Sequence, residues 1–223
     1  MREFVASLLF GGACFVCRGS ARGLLCTACQ AELPQLTAER CPRCALPTPG
    51  GAVCGRCLAD PPAYDATLAA LAYDFPADAL VHALKFRGEL ALAPLLAKLL
   101  LPQTLSEKAD RVIPVPLSAA RLRTRGYNQA AEIARGLANG RLDLDTCVRD
   151  EDTPPQMQLP WDQRQRNIRG AFRCRRSLAG ASVAVVDDVM TTGATLEELA
   201  RTLKRAGAVR VVNWVVARTL PPA

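Results

Sequence analysis

VAVVDDVMTTGAT, Val183 to Thr195, carries the chain's most telling run of residues. Its first four residues, Val183, Ala184, Val185 and Val186, are small or β-branched with no polar interruption, the pattern of a parallel strand buried on both faces. Asp187 and Asp188 follow, and the spacing predicts that both stand at that strand's C-terminal end. Val189 and Met190 lead into Thr191-Thr192-Gly193-Ala194-Thr195, a small, hydroxyl-rich turn. In the next run, LEELARTLKRAGA, Leu196, Leu199, Ala200 and Leu203 recur at helical spacing, and Gly207 is the stop.

Strand, acidic pair, turn and helix in this order suit a sugar phosphate. Unpaired backbone N–H groups and the positive dipole end at a helix N-terminus attract a phosphate dianion. Gly193 lets the backbone approach closely, and three threonines supply short hydroxyl donors. Carboxylates repel phosphate but accept hydrogen bonds from vicinal ribose hydroxyls. A ribose 5-phosphate satisfies both ends. The competing reading is a plain strand–turn–helix with Asp and Thr as caps. A single cap explains one such residue, not two aspartates and three threonines in succession.

The stretch resembles the motif with which type I phosphoribosyltransferases bind 5-phosphoribosyl-1-pyrophosphate (PRPP): an apolar strand, an acidic pair, then a Thr-Thr-Gly loop. The resemblance implies that Asp187 and Asp188 hold the ribose hydroxyls at the catalytic centre, and that Val189, Met190, Thr191, Thr192, Gly193, Ala194 and Thr195 wrap the 5-phosphate. It is not a Walker loop, because no Gly-Lys-Ser/Thr ending places a lysine on the phosphates.

The chain's 223 residues, half of them hydrophobic, suffice for one α/β domain and a small module. Aromatics make up 5%, which argues against an extended base-stacking platform. No apolar run reaches the roughly 18 residues of a membrane span. Arg2 with FVASLLFGGAC faintly resembles a signal peptide, but the run is short and broken by Gly-Gly, so a cytoplasmic location is expected.

Eight of the ten cysteines lie between Cys14 and Cys57, all in CxxC pairs: Cys14 with Cys17, Cys26 with Cys29, Cys41 with Cys44, Cys54 with Cys57. A CxxC turn sets two sulfurs on one side of a knuckle, and two knuckles complete a tetrahedral shell for Zn²⁺. Disulfide and redox readings fit four such pairs poorly. All-cysteine ligation predicts one or two closed, structural sites on which so short a segment depends to fold. Sequential and crossed pairing of the knuckles are both open. Two tetrathiolate sites, each carrying about −2, would bring the formal charge of +7 down to about +3, so charge alone establishes no nucleic-acid partner. The region resembles a double zinc ribbon, a module that contacts nucleic acid or protein; Arg18, Arg22, Arg40, Arg43 and Arg56 suit either or are simply solvated.

Residues 2–10 read as a short helix and Leu58–Tyr64 as a linker, which divides the chain into a zinc module (1–60) and an α/β domain (61–223). Beyond it, the pattern predicts a strand over Thr67–Tyr73, helices over Pro76–Lys85 and Glu89–Leu101 with Pro102 ending the second, and a strand in VIPVP from Arg111. His82, the single histidine, receives no chemistry. Between the two helices stands Lys85-Phe86-Arg87-Gly88, whose cations either cap a helix C-terminus or face a phosphate. After VIPVP come Arg121, Arg123 and Arg125 at alternate positions, read as a loop that either binds an anion or is exposed to solvent. A helix over Ala130–Ala138, a strand over Leu142–Arg149 and a final strand over Ala208–Ala217 complete the pattern, with Cys147 and Cys174 as isolated thiols. Residues 150–172, polar and proline-broken, read as either a disordered stretch or a functional lid. Strand–helix alternation predicts a parallel sheet flanked by helices, with its ligand at the strands' C-terminal edge.

The order of motifs (cysteine-rich ribbon, ALKFRG, VIPVPLSAARLRTRGYNQ, then Gln156, Leu159, Arg164, Asn167, Gly170 and Phe172, then VAVVDDVMTTGAT) resembles the ComF family along nearly the whole chain. That resemblance implies a type I phosphoribosyltransferase-like domain behind a zinc segment. It also implies a role in DNA uptake and natural transformation or in use of DNA as nutrient, with phosphoribosyl transfer to an unnamed acceptor. Lys85, Arg121, Arg123, Arg125, Arg164 and Asn167 are then the pyrophosphate and lid candidates, and Mg²⁺ accompanies PRPP. The alternative is a non-catalytic single-stranded DNA-binding factor that uses the domain for phosphate recognition. Other DNA-processing proteins are further expected partners.

Overall fold

A computed structural model describes residues 12–150 and 170–221. The expected helix over residues 2–10 and most of the expected lid, including Arg164 and Asn167, lie outside the described residues.

The amino-terminal module is two copies of one device. In each, a CxxC knuckle closes with the same backbone bonds: Cys14 N–H to Gly19 O and Arg18 N–H to Cys14 O, then Cys41 N–H to Leu46 O and Ala45 N–H to Cys41 O. Arg18 and Ala45, each directly after the second cysteine, take left-handed backbone angles (φ 63° and 59°). A side chain adopts that region only when its surroundings impose it. Each copy then starts a short helix at its third cysteine: α1 (Thr27–Ala31) after Cys26 and α2 (Gly55–Ala59) after Cys54. The first knuckle also carries a small hairpin, β1 (Gly12–Ala13) with β2 (Ser20–Ala21). Helix α2 occupies the beginning of the segment expected as linker.

Beyond it come β3 (Ala66–Ala72), α3 (Ala77–Phe86), α4 (Leu92–Thr104), β4 (Arg111–Pro114), α5 (Ala119–Arg125) and α6 (Gln129–Arg135). The remaining elements are β5 (Cys147–Arg149), β6 (Phe172–Cys174), β7 (Ser182–Met190), α7 (Ala194–Arg205) and β8 (Arg210–Arg218). Strands β3, β8, β7 and β4 form one parallel sheet in that order. On one face Leu80, Val81, Leu84, Leu96, Leu100 and Ile133 pack against Ala184, Val186 and Trp214. On the other, Leu196, Leu199 and Leu203 of α7 pack against Val183, Val185, Val211 and Val215. Burying each such side chain contributes about 1.5–3 kcal/mol.

Four local expectations are corrected. Strand β7 does not stop at Val186: its pairing with β8 continues through Asp187 opposite Val215 and Val189 opposite Ala217, so the acidic pair lies within the strand. The arginine run is helix α5, opened by Ser118, whose Oγ accepts from Arg121 N–H, and closed by Gly126 at φ 82°. Helix α4 runs through Pro102 to Thr104, because near a C-terminus only one i−4 bond is forfeited by the missing N–H. From the expected strand over Leu142–Arg149 only Cys147–Arg149 remains, paired antiparallel with β6. Asp143 turns the chain first, its carboxylate accepting from the N–H groups of Asp145 and Thr146 and, at 2.6 Å, from the Thr146 hydroxyl.

Candidate functional site

The centre of the sheet's C-terminal edge is the end of β7. Asp188 is buried, and its Oδ1 accepts from Val189 N–H at 2.8 Å; Asp187 Oδ1 accepts from Asp188 N–H at 2.9 Å. The end of α3 brings Lys85, whose Nζ lies 3.1 Å from Asp188 Oδ2. Apart from this ion pair, Asp188 Oδ2 meets no donor among the described residues, which leaves it a buried acceptor with room for a further partner. Burial, and then the adjacent Asp188 charge, push the Asp187 carboxyl well above its usual range. Burial would depress the Lys85 ammonium, but the charges of Asp188 and Asp187 outweigh it and raise its pKa. The result is one cation facing two carboxylates that resist sharing a site.

After Met190 the chain turns at Thr191–Gly193 into α7. Gly193 caps the helix at φ 87°, and a Cβ there would meet Met190 Cε at 2.7 Å, so this position requires glycine. Thr192 Oγ1 accepts from Ala194 N–H at 3.3 Å. Thr191 is exposed, while Gly193 and Ala194 are buried. A loop of this shape presents backbone donors at the N-terminus of a twelve-residue helix.

Arg125 stands beside Lys85 on the Phe86 ring. Its guanidinium lies 5.6 Å from the Phe86 ring, over which Lys85 Nζ also sits at 5.9 Å, and it bonds Gln129. Helical geometry puts Arg121 and Arg125 on one face, and Arg123 points elsewhere and is exposed. The Tyr127 hydroxyl donates to Leu84 O, which fixes the turn that carries Lys85. Asn128 ties α6 to β4: its Nδ2 donates to Val115 O at 3.0 Å while its Oδ1 caps Ala130 and Ala131.

Sequence reasoning missed Arg218 and Tyr64. Arg218, at the end of β8, is 1% exposed and bonds the carbonyls of Met190, Thr191, Thr219 and Cys44. Tyr64 is buried with its hydroxyl beside Gly193. A lone arginine after an apolar strand gives no signal of burial, and Tyr64 stands in what reads as a linker. A cavity of about 330 Å³ opens between the first knuckle and α3, lined by Phe15, Arg18, Tyr73, Phe75, His82 and Arg87. His82 stacks on Phe86 at 4.7 Å. A wider cleft of about 640 Å³ lies at the opposite, N-terminal edge of the sheet, around Arg111, Asp143 and Arg176.

The cysteines gather sequentially into two quartets, Cys14/Cys17/Cys26/Cys29 and Cys41/Cys44/Cys54/Cys57, with all sulfurs of a quartet within 4.8 Å of one another. Cys17–Cys26 and Cys44–Cys54 sulfur separations of 3.7 and 3.6 Å match the edge of about 3.8 Å that a tetrahedron with ~2.3 Å Zn–S bonds requires. The N–H groups of Cys17 and Cys26 bring the Cys14 thiol down to about 6, whereas burial and the neighbouring thiols push Cys29 up to about 12. Four such thiols ionise together only around a cation. Both quartets fit structural Zn²⁺.

Fold and sites define a class: a phosphoribosyltransferase-type α/β domain carried behind a double zinc ribbon. Residues 5–58 match the family model for a double zinc ribbon domain, and residues 121–219 match that for a phosphoribosyl transferase domain. The chain belongs to the ComF family. It is 35% identical to the DNA utilization protein YhgH of Salmonella typhimurium, with 94% of this chain and 98% of the relative covered. It is 30% identical to Competence protein F of Haemophilus influenzae over the same shares, and 26% identical to Competence protein ComFC of Bacillus subtilis over 87% and 84%. No helix among the described residues is long and apolar enough to cross a membrane.

Proposed function

We propose that the carboxyl edge of the sheet binds PRPP, and that the chain transfers or senses a phosphoribosyl group during the handling of DNA. The observation that carries this reading is the Asp187–Asp188 pair at the sheet's carboxyl edge, where buried Asp188 Oδ2 has Lys85 as its one partner among the described residues, just ahead of the Gly193 loop. Vicinal ribose hydroxyls supply donors at that point while the 5-phosphate lies on the N–H groups leading into α7. Lys85 and Arg125, gathered over Phe86, then face the pyrophosphate. Asp187 and Asp188 also suit a hard divalent cation such as Mg²⁺, held by these carboxylates together with ligand oxygens. When bound, it neutralises pyrophosphate charge. The side chains orient the ribose, offset the charge of the departing pyrophosphate and exclude water, the contributions an oxocarbenium-like transfer needs. On this reading residues 1–60 form the zinc module and 61–223 the phosphoribosyltransferase-like domain, with Arg164 and Asn167 assigned to the lid.

Calorimetry with Mg²⁺ and PRPP, followed by pyrophosphate release over a panel of nucleobases, tests the reading. Asp187→Ala with Asp188→Ala should abolish binding; unchanged affinity in the double variant would refute the assignment.

One surface favours a second reading, in which single-stranded DNA itself is bound. Phe75 and Phe86 are 65% and 52% exposed, next to His82 and the cations Arg18 and Arg87. Aromatic faces among cations suit unstacked bases, and the relatives' names concern DNA use and competence. Such binding should weaken steeply with salt, and a salt-independent signal would refute it.

A further inference from the structure

The second cysteine quartet is built into the floor of the phosphate loop. Cys41, Cys44 and Cys57 share one buried cluster with Tyr64, Met190 and Ala194. The knuckle is docked by Thr67 N–H to Pro42 O at 3.1 Å, and the Tyr64 hydroxyl lies beside Gly193. Arg218 joins the two directly. Its Nε donates to Cys44 O at 2.8 Å, and its Nη1 reaches Met190 O at 2.8 Å, Thr191 O, and Thr219 O at 2.9 Å. Among the described residues no carboxylate pairs with this buried guanidinium. An unpaired buried charge is strongly unfavourable. A zinc tetrathiolate, with net charge of about −2, supplies the missing counter-charge at Cys44, the residue whose carbonyl Arg218 bonds and whose sulfur belongs to the quartet. Among the described residues the first quartet has no such link: Phe15 and Val16 of its knuckle pack against the cluster on the other face of the sheet.

We infer that zinc in the Cys41/Cys44/Cys54/Cys57 site, acting through Arg218, holds the Met190–Thr195 loop in its ligand-ready shape, so that metal occupancy of this one site and ligand affinity are linked. Arg218 is a positioning residue. The inference rests on reading that loop as the phosphate site, but the coupling between metal and loop is measurable without any ligand.

Hydrogen exchange read by mass spectrometry over residues 190–195 of the full chain, with zinc content measured in parallel, tests it. Cys54→Ser should lower zinc from two to one per chain and speed exchange of these amides at least tenfold. Cys29→Ser should lose one zinc and leave them unchanged. Arg218→Lys keeps both zincs but loses the fork of carbonyl bonds, and should speed exchange as Cys54→Ser does. Equal protection in Arg218→Lys and the unaltered protein, or equal loss in Cys29→Ser and Cys54→Ser, overturns the inference. Should Cys54→Ser fail to fold, Arg218→Lys decides alone. Calorimetry with PRPP on the same proteins separates the two claims. Loop coupling without PRPP binding refutes the ligand reading alone, and PRPP binding without coupling refutes this inference alone.

Discussion

Asp187→Asn should make the protein more stable and at the same time weaken the PRPP binding proposed for this edge. The substitution preserves volume and leaves an oxygen to accept the Asp188 N–H that Asp187 Oδ1 now accepts at 2.9 Å. It removes one of two carboxylates that act on Lys85. Unit charges roughly 5 Å apart repel by about 3 kcal/mol at an effective dielectric near 20. Lys85 offsets most of this, which leaves about 1 kcal/mol, the usual scale of gain when a strained functional charge is removed. For a chain of this size that raises Tm by about 2–4 °C. The sign with pH follows from the raised folded pKa of Asp187. Near and below the ordinary aspartate value of 3.8 the carboxyl is protonated in both states, so no penalty exists. As pH climbs from there to the raised value, the unfolded chain ionises first and folding loses free energy; above it the penalty is constant. Thermal melts of both proteins at about pH 5 and about pH 8, with zinc content matched, should show the Tm difference growing with pH. A variant no more stable at the higher pH, or a gain that does not change with pH, would refute the account in which burial and the neighbouring Asp188 charge make an ionised Asp187 costly.

Asn128→Ala removes both the cap of α6 and the tie to Val115 O, and should lower stability by about 1–2 kcal/mol, seen as a lower urea midpoint at unchanged slope. Cys147 and Cys174 lie opposite each other in the β5–β6 pair, where the hydrogen bond from Cys147 lowers the Cys174 thiol and raises its own. Cys147→Ala should therefore raise the Cys174 pKa and slow its alkylation severalfold at about pH 8 in zinc-replete protein, measured by mass spectrometry of the labelled peptide.

The parts of this protein that are local in sequence were legible in it. Four CxxC pairs announce two metal shells because the two sulfurs of each knuckle are only three residues apart. The run from Val183 through Gly207 announces strand, turn and helix because apolar period, αL glycine and hydroxyl caps are all properties of neighbouring residues. Where side chains decided against neighbours, the pattern misled: Asp143 turned the chain that Leu142–Arg149 seemed to extend, and pairing with β8 carried β7 past its apolar stretch. Sequential pairing of the knuckles, the meeting of Lys85 with Asp188 and the choice of Arg125 over Arg123 rest on contacts between distant segments. Arg218 shows the limit most plainly. Sequence alone carries an acidic pair, a hydroxyl-rich glycine turn before a helix and two quartets of paired cysteines. That the second ribbon and the loop share one floor emerges only on folding, because a guanidinium with no carboxylate partner among the described residues must find its carbonyls, and its counter-charge, wherever the chain brings them.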